Sequence, residues 1–254
     1  MPTAVLAPLN VEAYFLVAVR VTAALMAAPV VGSRLIPAPM RIGLGLLFAV
    51  VLTPIVPLTS LPTTIPAYAF AVAREVLLGL LAGFGVHLTF MIVQVAAGLV
   101  GFQMSLSLAS MIDPITAEQD TVLERFMMAF ATLIFLQVDG LQLFLIGLQR
   151  LFVALPVGGM DLPARGADNL ILLMRETLGS SVRMAMPMLG ALLLADVGLA
   201  IAARTVPQMN LFAVGIPAKL ALGFVTLGLC LPPTANQLAE LFRRLPIDMG
   251  LLVR

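Results

Sequence analysis

The chain contains no tryptophan, and cysteine, histidine and lysine each occur only once, as Cys230, His87 and Lys219. A single cysteine excludes a disulfide within the chain and any metal site built from several cysteines. A lone histidine with no second His or Cys at ligand spacing excludes the usual zinc sites. The sequence therefore predicts no metal site, and His87 is expected to be a helix-facing polar group that bonds to a neighbouring residue.

Charged side chains are scarce. They make up 11% of the 254 residues, with a net charge of +1, whereas a soluble domain carries about 25%. No basic cluster or aromatic stacking platform is present, which argues against nucleic acid as a partner. Hydrophobic residues reach 61% and the mean hydropathy is +1.10. The composition predicts an all-α, multi-helix integral membrane protein.

The apolar residues fall into long runs, and about 20 apolar residues in a helix cross a hydrocarbon core. Six candidate membrane segments are Glu12–Val31, Ile42–Leu58, Val76–Met104, Phe126–Leu148, Leu178–Ala203 and Leu211–Leu231. Pro54 and Pro57 break the second run. The fourth run carries Gln137 and Asp139 near its middle, where charge is costly, so it is predicted to be a helix-turn-helix.

The connections between the runs differ in character. Pro57–Pro66 is predicted to be an extended loop, and Pro156–Asn169 a surface loop. The short connection Arg204–Asn210 makes the last two runs a helical hairpin. Ser105–Glu124 is a long polar insert between helices. The tail Asn236–Arg254 mixes charge with Leu and Phe and is predicted to form an interfacial helix.

Catalytic patterns are missing from the sequence. The serines have no G-x-S-x-G elbow and no convincing base. Paired carboxylates occur only within Asp113–Glu124, where solvation is the ordinary explanation. The Gly-x-Gly pairs lie inside apolar runs rather than in a phosphate-binding loop. No enzyme activity, no catalytic residue and no cofactor are predicted.

Small residues and buried charges indicate contacts between helices. Gly79 and Gly83 lie on one helix face, which lets another helix approach closely. Arg20, Asp196 and Lys219 each lie inside an apolar run, where charges usually face a bundle interior or a wet cavity. They could form a proton or ion relay, or they could pair between helices, as Asp196 and Lys219 would across the final hairpin.

Several blocks of sequence together point to a family. They are Ala28–Leu44 (APVVGSRLIPAPMRIGL), Arg74–Phe84 (REVLLGLLAGF), Gly101–Pro114 (GFQMSLSLASMIDP) and Pro207–Lys219 (PQMNLFAVGIPAK). In this order, and spanning nearly the whole chain, they resemble the family of the flagellar biosynthetic protein FliR. Each block is weak alone, and the set is specific.

The resemblance implies a non-enzymatic subunit of a type III protein-export gate in the bacterial inner membrane, at the flagellar basal body. It implies FliP-type and FliQ-type gate subunits and an FlhB-type switch protein as partners, with membrane lipid around them and unfolded proteins exported through the gate. The implied fold is a FliP-like part over residues 1–175, fused to a FliQ-like hairpin and tail over 176–254. Such chains assemble into a helical cone.

The resemblance also implies that the segment after Gln103 plugs the closed pore. The predicted plug and pore residues are Gln103, Met104, Ser107, Met111, Asp113, Pro114, Glu118 and Asp120. The predicted subunit contacts are Gly79, Gly83, Asp196, Arg204 and Lys219. Two alternatives stay open: a stand-alone secondary transporter or ion channel, and an injectisome homologue instead of a flagellar protein.

Overall fold

The computed structural model describes residues 11–30, 32, 36–59, 61–106, 121–159, 166–205 and 211–252. The helices in these ranges are α1 (Val11–Ala27), α2 (Ala38–Leu52), α3 (Ile65–Gln103), α4 (Val122–Gln137), α5 (Gly140–Ala154), α6 (Gly166–Thr205) and α7 (Leu211–Leu251). No strand is present in the described ranges, beyond one isolated bridge between Leu58 and Val157. The predicted all-α class is confirmed.

Membrane-crossing length is reached by three helices within the described ranges, α3, α6 and the Val214–Leu251 part of α7. α4 and α5 reach it only when the two are counted together as one broken span. α1 has 17 residues and α2 has 15, fewer than the roughly 20 that a hydrocarbon core needs. The prediction of a multi-helix membrane protein is confirmed. Of the six candidate membrane segments, however, only three or four correspond, in the described residues, to helices long enough to cross a membrane.

The prolines explain where α2 ends and α3 begins. α2 stops at Leu52, just before Pro54, which cannot supply the N–H of a further helical turn. The extended loop predicted from Pro57 is present as far as Thr64 in its described residues. α3 then starts at Ile65, so Pro66 lies in the first helical turn, where the missing N–H costs nothing.

The predicted surface loop from Pro156 is wrong at its start. Val157 is fully buried, and its carbonyl accepts bonds from the Thr59 N–H at 3.0 Å and the Thr59 hydroxyl at 2.7 Å. These bonds satisfy backbone groups that a buried loop cannot leave unpaired. α6 already begins at Gly166, so Asn169 is helical, and its side-chain amide donates to the Leu251 carbonyl at 2.8 Å.

The fourth apolar run forms two helices, α4 and α5, as predicted for a helix-turn-helix. The break falls at Val138–Asp139, where Asp139 has a φ of 55°. Aspartate tolerates this left-handed conformation better than most residues, and Gly140 follows it at once as the first residue of α5. The exposed Asp139 lies at the boundary between the two helices.

The last two helices are longer than predicted. α7 continues past Leu231 through Pro232 and Pro233 to Leu251, so the tail is part of this helix. Its distal part has a buried stripe with helical spacing, formed by Leu238, Phe242, Leu245 and Met249. Packing of this stripe stabilises the helix beyond Pro232 and Pro233, where the prolines alone would predict that it ends.

The chain forms two compact units. The first is built from the described parts of Met1–Thr89, Val138–Met174 and Leu241–Arg254, and the second from those of Phe90–Gln137 and Arg175–Glu240. Each unit therefore draws on separate stretches of sequence. The division into a FliP-like and a FliQ-like part rests on resemblance and stays a prediction.

Candidate functional site

Only part of the predicted plug lies in the described structure. Ser107, Met111, Asp113, Pro114, Glu118 and Asp120 lie outside the described residues. Gln103 and Met104 lie at the end of α3, where the described chain stops at Leu106 and resumes at Thr121. We call the two flanks, Gln103–Leu106 and Thr121–Glu124, the junction. It belongs to the second unit.

The first flank of the junction is a well-formed helix end. The Leu106 N–H donates to the Gly101 carbonyl, and the Ser105 N–H donates to the Phe102 carbonyl, both at 3.0 Å. Ser105 has a φ of 64°. This pair of bonds around a left-handed residue is the Schellman motif that closes many helices. The motif fixes the direction in which the chain leaves α3.

The second flank is an equally well-formed helix start. The Thr121 hydroxyl accepts from the Glu124 N–H at 3.2 Å, and the Thr121 N–H donates to the Glu124 carboxylate at 2.7 Å. This reciprocal pair is a capping box. The sequence carries its signature, Thr-x-x-Glu, yet Glu124 was assigned to the polar insert and the fourth run was started at Phe126.

Two glycines bring the flanks together. A Cβ added at Gly101 would lie 3.2 Å from the Thr121 hydroxyl oxygen. One added at Gly98 would lie 2.7 Å from a carboxylate oxygen of Glu124. The absence of a side chain at both positions lets the start of α4 approach α3 closely. The end of α3 and the start of α4 therefore lie side by side.

α7 packs against the junction through apolar contacts. Met104 is fully buried, and a Cβ added at Gly223 of α7 would lie 2.7 Å from its sulfur. Beside this contact is an apolar cavity of about 240 Å³. It is lined by Leu106, Val122, Leu123, Phe126, Phe224 and Leu227. Methionine and a neighbouring cavity give this interface an adaptable packing.

A polar network lies at the same junction. Asp196 of α6 forms an ion pair with Lys219 of α7, which confirms the predicted pairing across the hairpin. The other carboxylate oxygen of Asp196 accepts a hydrogen bond of 2.7 Å from the Gln103 side-chain amide. Three helices thus each contribute one polar group. Arg204, at the end of α6, is exposed to solvent or lipid and lies outside this network.

Comparison with known proteins identifies the family. Residues 11–245 match the family described as bacterial export proteins, family 1. The chain belongs to this family. It is 31% identical to the flagellar biosynthetic protein FliR of Bacillus subtilis over 223 residues, which cover 86% of each chain. The suspected FliR family is thereby confirmed.

Other relatives match over different lengths. The FliR protein of Escherichia coli is 29% identical over 252 residues, covering 92% of this chain and 94% of that protein. The surface presentation of antigens protein SpaR of Shigella flexneri is 27% identical over 161 residues, covering 63% of this chain and 62% of that protein.

Gly79 and Gly83 contact α1 of the same chain. A Cβ added at Gly79 would lie 2.8 Å from the Ala23 Cβ, and one at Gly83 would lie 2.5 Å from the Ala27 Cβ. The prediction that this small-residue face meets another helix is confirmed. The face is filled by α1, which leaves little room there for a second chain.

The remaining buried charges form a cluster in the first unit. Arg20 of α1 pairs with Glu75 of α3, and Arg74 pairs with the other Glu75 oxygen at 3.1 Å. Arg20 also donates to the Leu155 carbonyl at 2.9 Å, and its guanidinium lies 4.3 Å from the centre of the Phe152 ring. These contacts link α1, α3 and the end of α5. The cluster holds the chain after α5 against α1 and α3, where Leu155 and Val157 are buried.

His87 of α3 lies beside an aromatic side chain of the same helix. Its ring lies 6.1 Å from that of Phe84, centre to centre. Within the described ranges, no group of three or more His, Cys, Asp or Glu side chains is placed to hold a metal ion.

Proposed function

We propose that this chain is a structural, non-enzymatic subunit of the flagellar type III protein-export gate. It forms part of the conduit for unfolded proteins, and the segment after Gln103 closes that conduit at rest. It works in the bacterial inner membrane at the flagellar basal body, together with FliP-type and FliQ-type subunits and an FlhB-type switch protein. Membership of the export family supports this role.

The junction is the observation that carries the plug proposal. The segment 107–120 leaves α3 and returns to α4 at neighbouring points, because Gly98 and Gly101 bring the two helices together. Both ends are capped by hydrogen bonds. A polar insert with closely spaced, fixed ends can project from one place on a helical wall without disturbing the helices. Such an insert suits a plug.

Exposed apolar faces on α6 and α7 support assembly with other subunits. Large exposed residues include Leu178, Val182, Met186, Leu193, Leu194, Val197, Ile201, Val214, Phe224, Val225 and Leu229. In the described chain, Gly190, Gly198 and Gly228 have no neighbouring atom within 4 Å of an added Cβ. Small residues on a helix surface do not improve its contact with lipid, whereas they allow another helix to pack closely against it.

The extent of the matches favours a flagellar over an injectisome system. The B. subtilis and E. coli FliR proteins match 86% and 92% of this chain, whereas the S. flexneri SpaR protein matches 63%. The flagellar proteins share similarity over more of the sequence, so we assign the chain to the flagellar branch. Loss of swimming, with intact secretion of virulence proteins, is the expected phenotype of a deletion strain.

Deleting Asp113–Asp120 tests the plug. The complex carrying this deletion should still assemble, since the capped helix ends lie outside it, and should let small ions leak across the membrane. A second variant replaces Asp113–Asp120 with a Gly-Ser linker of the same length. Its complex should also leak, because the native side chains and not the length of the segment are expected to close the conduit. A deletion complex that stays tight would count against the plug.

The rival transporter predicts the opposite behaviour of the isolated chain. A secondary transporter or channel should move solutes in liposomes by itself. Asp196 and Lys219, which the rival would use as an ion path, are instead paired with each other. We expect the purified chain alone to be inert and the assembled complex to be required for any export.

A further inference from the structure

Gln103 occupies an unusual place in the second unit. It is the last residue of α3, and its side-chain amide donates to Asp196 of α6 at 2.7 Å. The same carboxylate pairs with Lys219 of α7 through its other oxygen. One carboxylate thus connects three helices, and α3 enters this network through Gln103.

The polar contacts between Gln103, Asp196 and Lys219 are partly exposed. Asp196 and Lys219 have 35% and 19% of their side chains exposed, so the pair is not sealed in a dry core. Because the ion pair satisfies Asp196 and Lys219 without Gln103, α3 can leave while the hairpin charges stay paired. The polar cost of separating α3 from the hairpin is then the loss of one hydrogen bond, from Gln103 to the charged Asp196.

The apolar part of the same interface is incompletely filled. Lys219 and Gly223 lie one turn apart on α7, so they share a face. That face meets α3 through the Gln103 network and, at the next turn, through Met104. A flexible methionine and a cavity of about 240 Å³ lie where a rigid interface would be tightly filled.

We propose that Gln103 is a positioning residue that latches the end of α3 to the α6–α7 hairpin, at an interface that separates when the conduit opens. This inference rests on the proposed conduit, and it does not require the 107–120 segment to be the plug. Gln103 holds the resting state, while the Asp196–Lys219 pair keeps the hairpin intact in both states.

The test is Gln103→Met in the complete, chromosomally encoded complex. Methionine keeps the length of the side chain and removes the hydrogen bond, so the ratio of closed to open complexes should fall roughly tenfold. Passive ion leak through the membrane should rise, while the yield of co-purified complex stays unchanged. Gln137→Met is the matched control, because Gln137 is the exposed last residue of α4, and it should leave the leak unchanged.

Gln103→Glu is a second variant with nearly the same shape. It replaces the hydrogen bond by repulsion between two carboxylates, so it should leak as much or more. A normal resting leak in both Gln103 variants would overturn the latch.

The Asp113–Asp120 deletion separates this inference from the plug. If the deletion leaks and the Gln103 variants are tight, the latch is wrong and the plug stands. If the deletion is tight and the Gln103 variants leak, the latch stands and the plug is wrong. If all are tight, both are wrong.

Discussion

Arg20 and Glu75 form an ion pair in which both side chains are completely buried. Arg74 pairs with the other oxygen of the same carboxylate. A buried pair of this kind contributes little net stability, but removing one partner leaves a buried charge without compensation. The cluster therefore predicts unequal effects of removing its members.

Glu75→Gln should destabilise the chain more than Arg20→Met. The first change leaves the fully buried Arg20 without its acid, at a cost of about 3–5 kcal/mol in the free energy of unfolding. The second leaves Glu75 paired with Arg74. Thermal unfolding of the purified chain in detergent measures both, with the exposed Arg150→Met as the control. Equal stability of the two variants would contradict this account of the cluster.

Gly79→Ala should weaken the packing of α3 against α1. The new methyl group would overlap Ala23 and the α1 backbone, and overpacking costs about 1–3 kcal/mol. Gly43→Ala is the control, since an added Cβ there meets no atom within 4 Å in the described chain. Unfolding in detergent should show a lower midpoint for Gly79→Ala and an unchanged or higher one for Gly43→Ala.

Sequence reasoning found these helices but not their partners. Small residues at Gly79 and Gly83 indicated a helix contact, yet α1 lies more than 50 positions earlier in the chain, as in the Arg20–Glu75 pair separated by 55. Residues that far apart meet through the tertiary fold, which periodicity does not encode. The pairing of Asp196 with Lys219 was predictable because both lie on one helical hairpin.

Gly223→Val should disturb the junction by pushing Met104 away. The added atoms would occupy space that the Met104 side chain now fills. We expect a raised ion leak of the assembled complex, and Met104→Ala in the same chain should reduce that leak by restoring room. Gly228→Val, on the same helix but with open space around it in the described chain, is the control. A tight Gly223→Val complex would show that this contact does not set the resting state.

Thr121→Ala should loosen the start of α4. Loss of a helix N-cap costs about 1 kcal/mol, typically within a range of 0.5–2. Glu124→Gln should be milder, because glutamine can also complete a capping box. The measurement is the rate of amide hydrogen exchange over the first turn of α4, which should be higher in Thr121→Ala than in the wild type. Unchanged exchange would mean that tertiary packing alone holds this helix start.

The helix ends were harder to predict than the helices themselves. Ser105 ends α3 in a left-handed conformation that glycine usually adopts, yet the predicted run, Val76–Met104, ends within one residue of α3 because the polar insert begins at Ser105. Pro232 and Pro233 suggested that α7 ends, yet buried packing along the distal stripe keeps it helical. The Thr121–Glu124 capping box was readable, but it lay within a segment interpreted as polar loop. Local signals are thus outweighed where long-range packing acts.

Ion conductance of the purified complete complex in a planar lipid bilayer tests the central claim most directly. The chain alone and the wild-type complex should both be silent, while the complex lacking Asp113–Asp120 should conduct small ions. A chain that conducts by itself, or a deletion complex as silent as the wild type, would contradict the account.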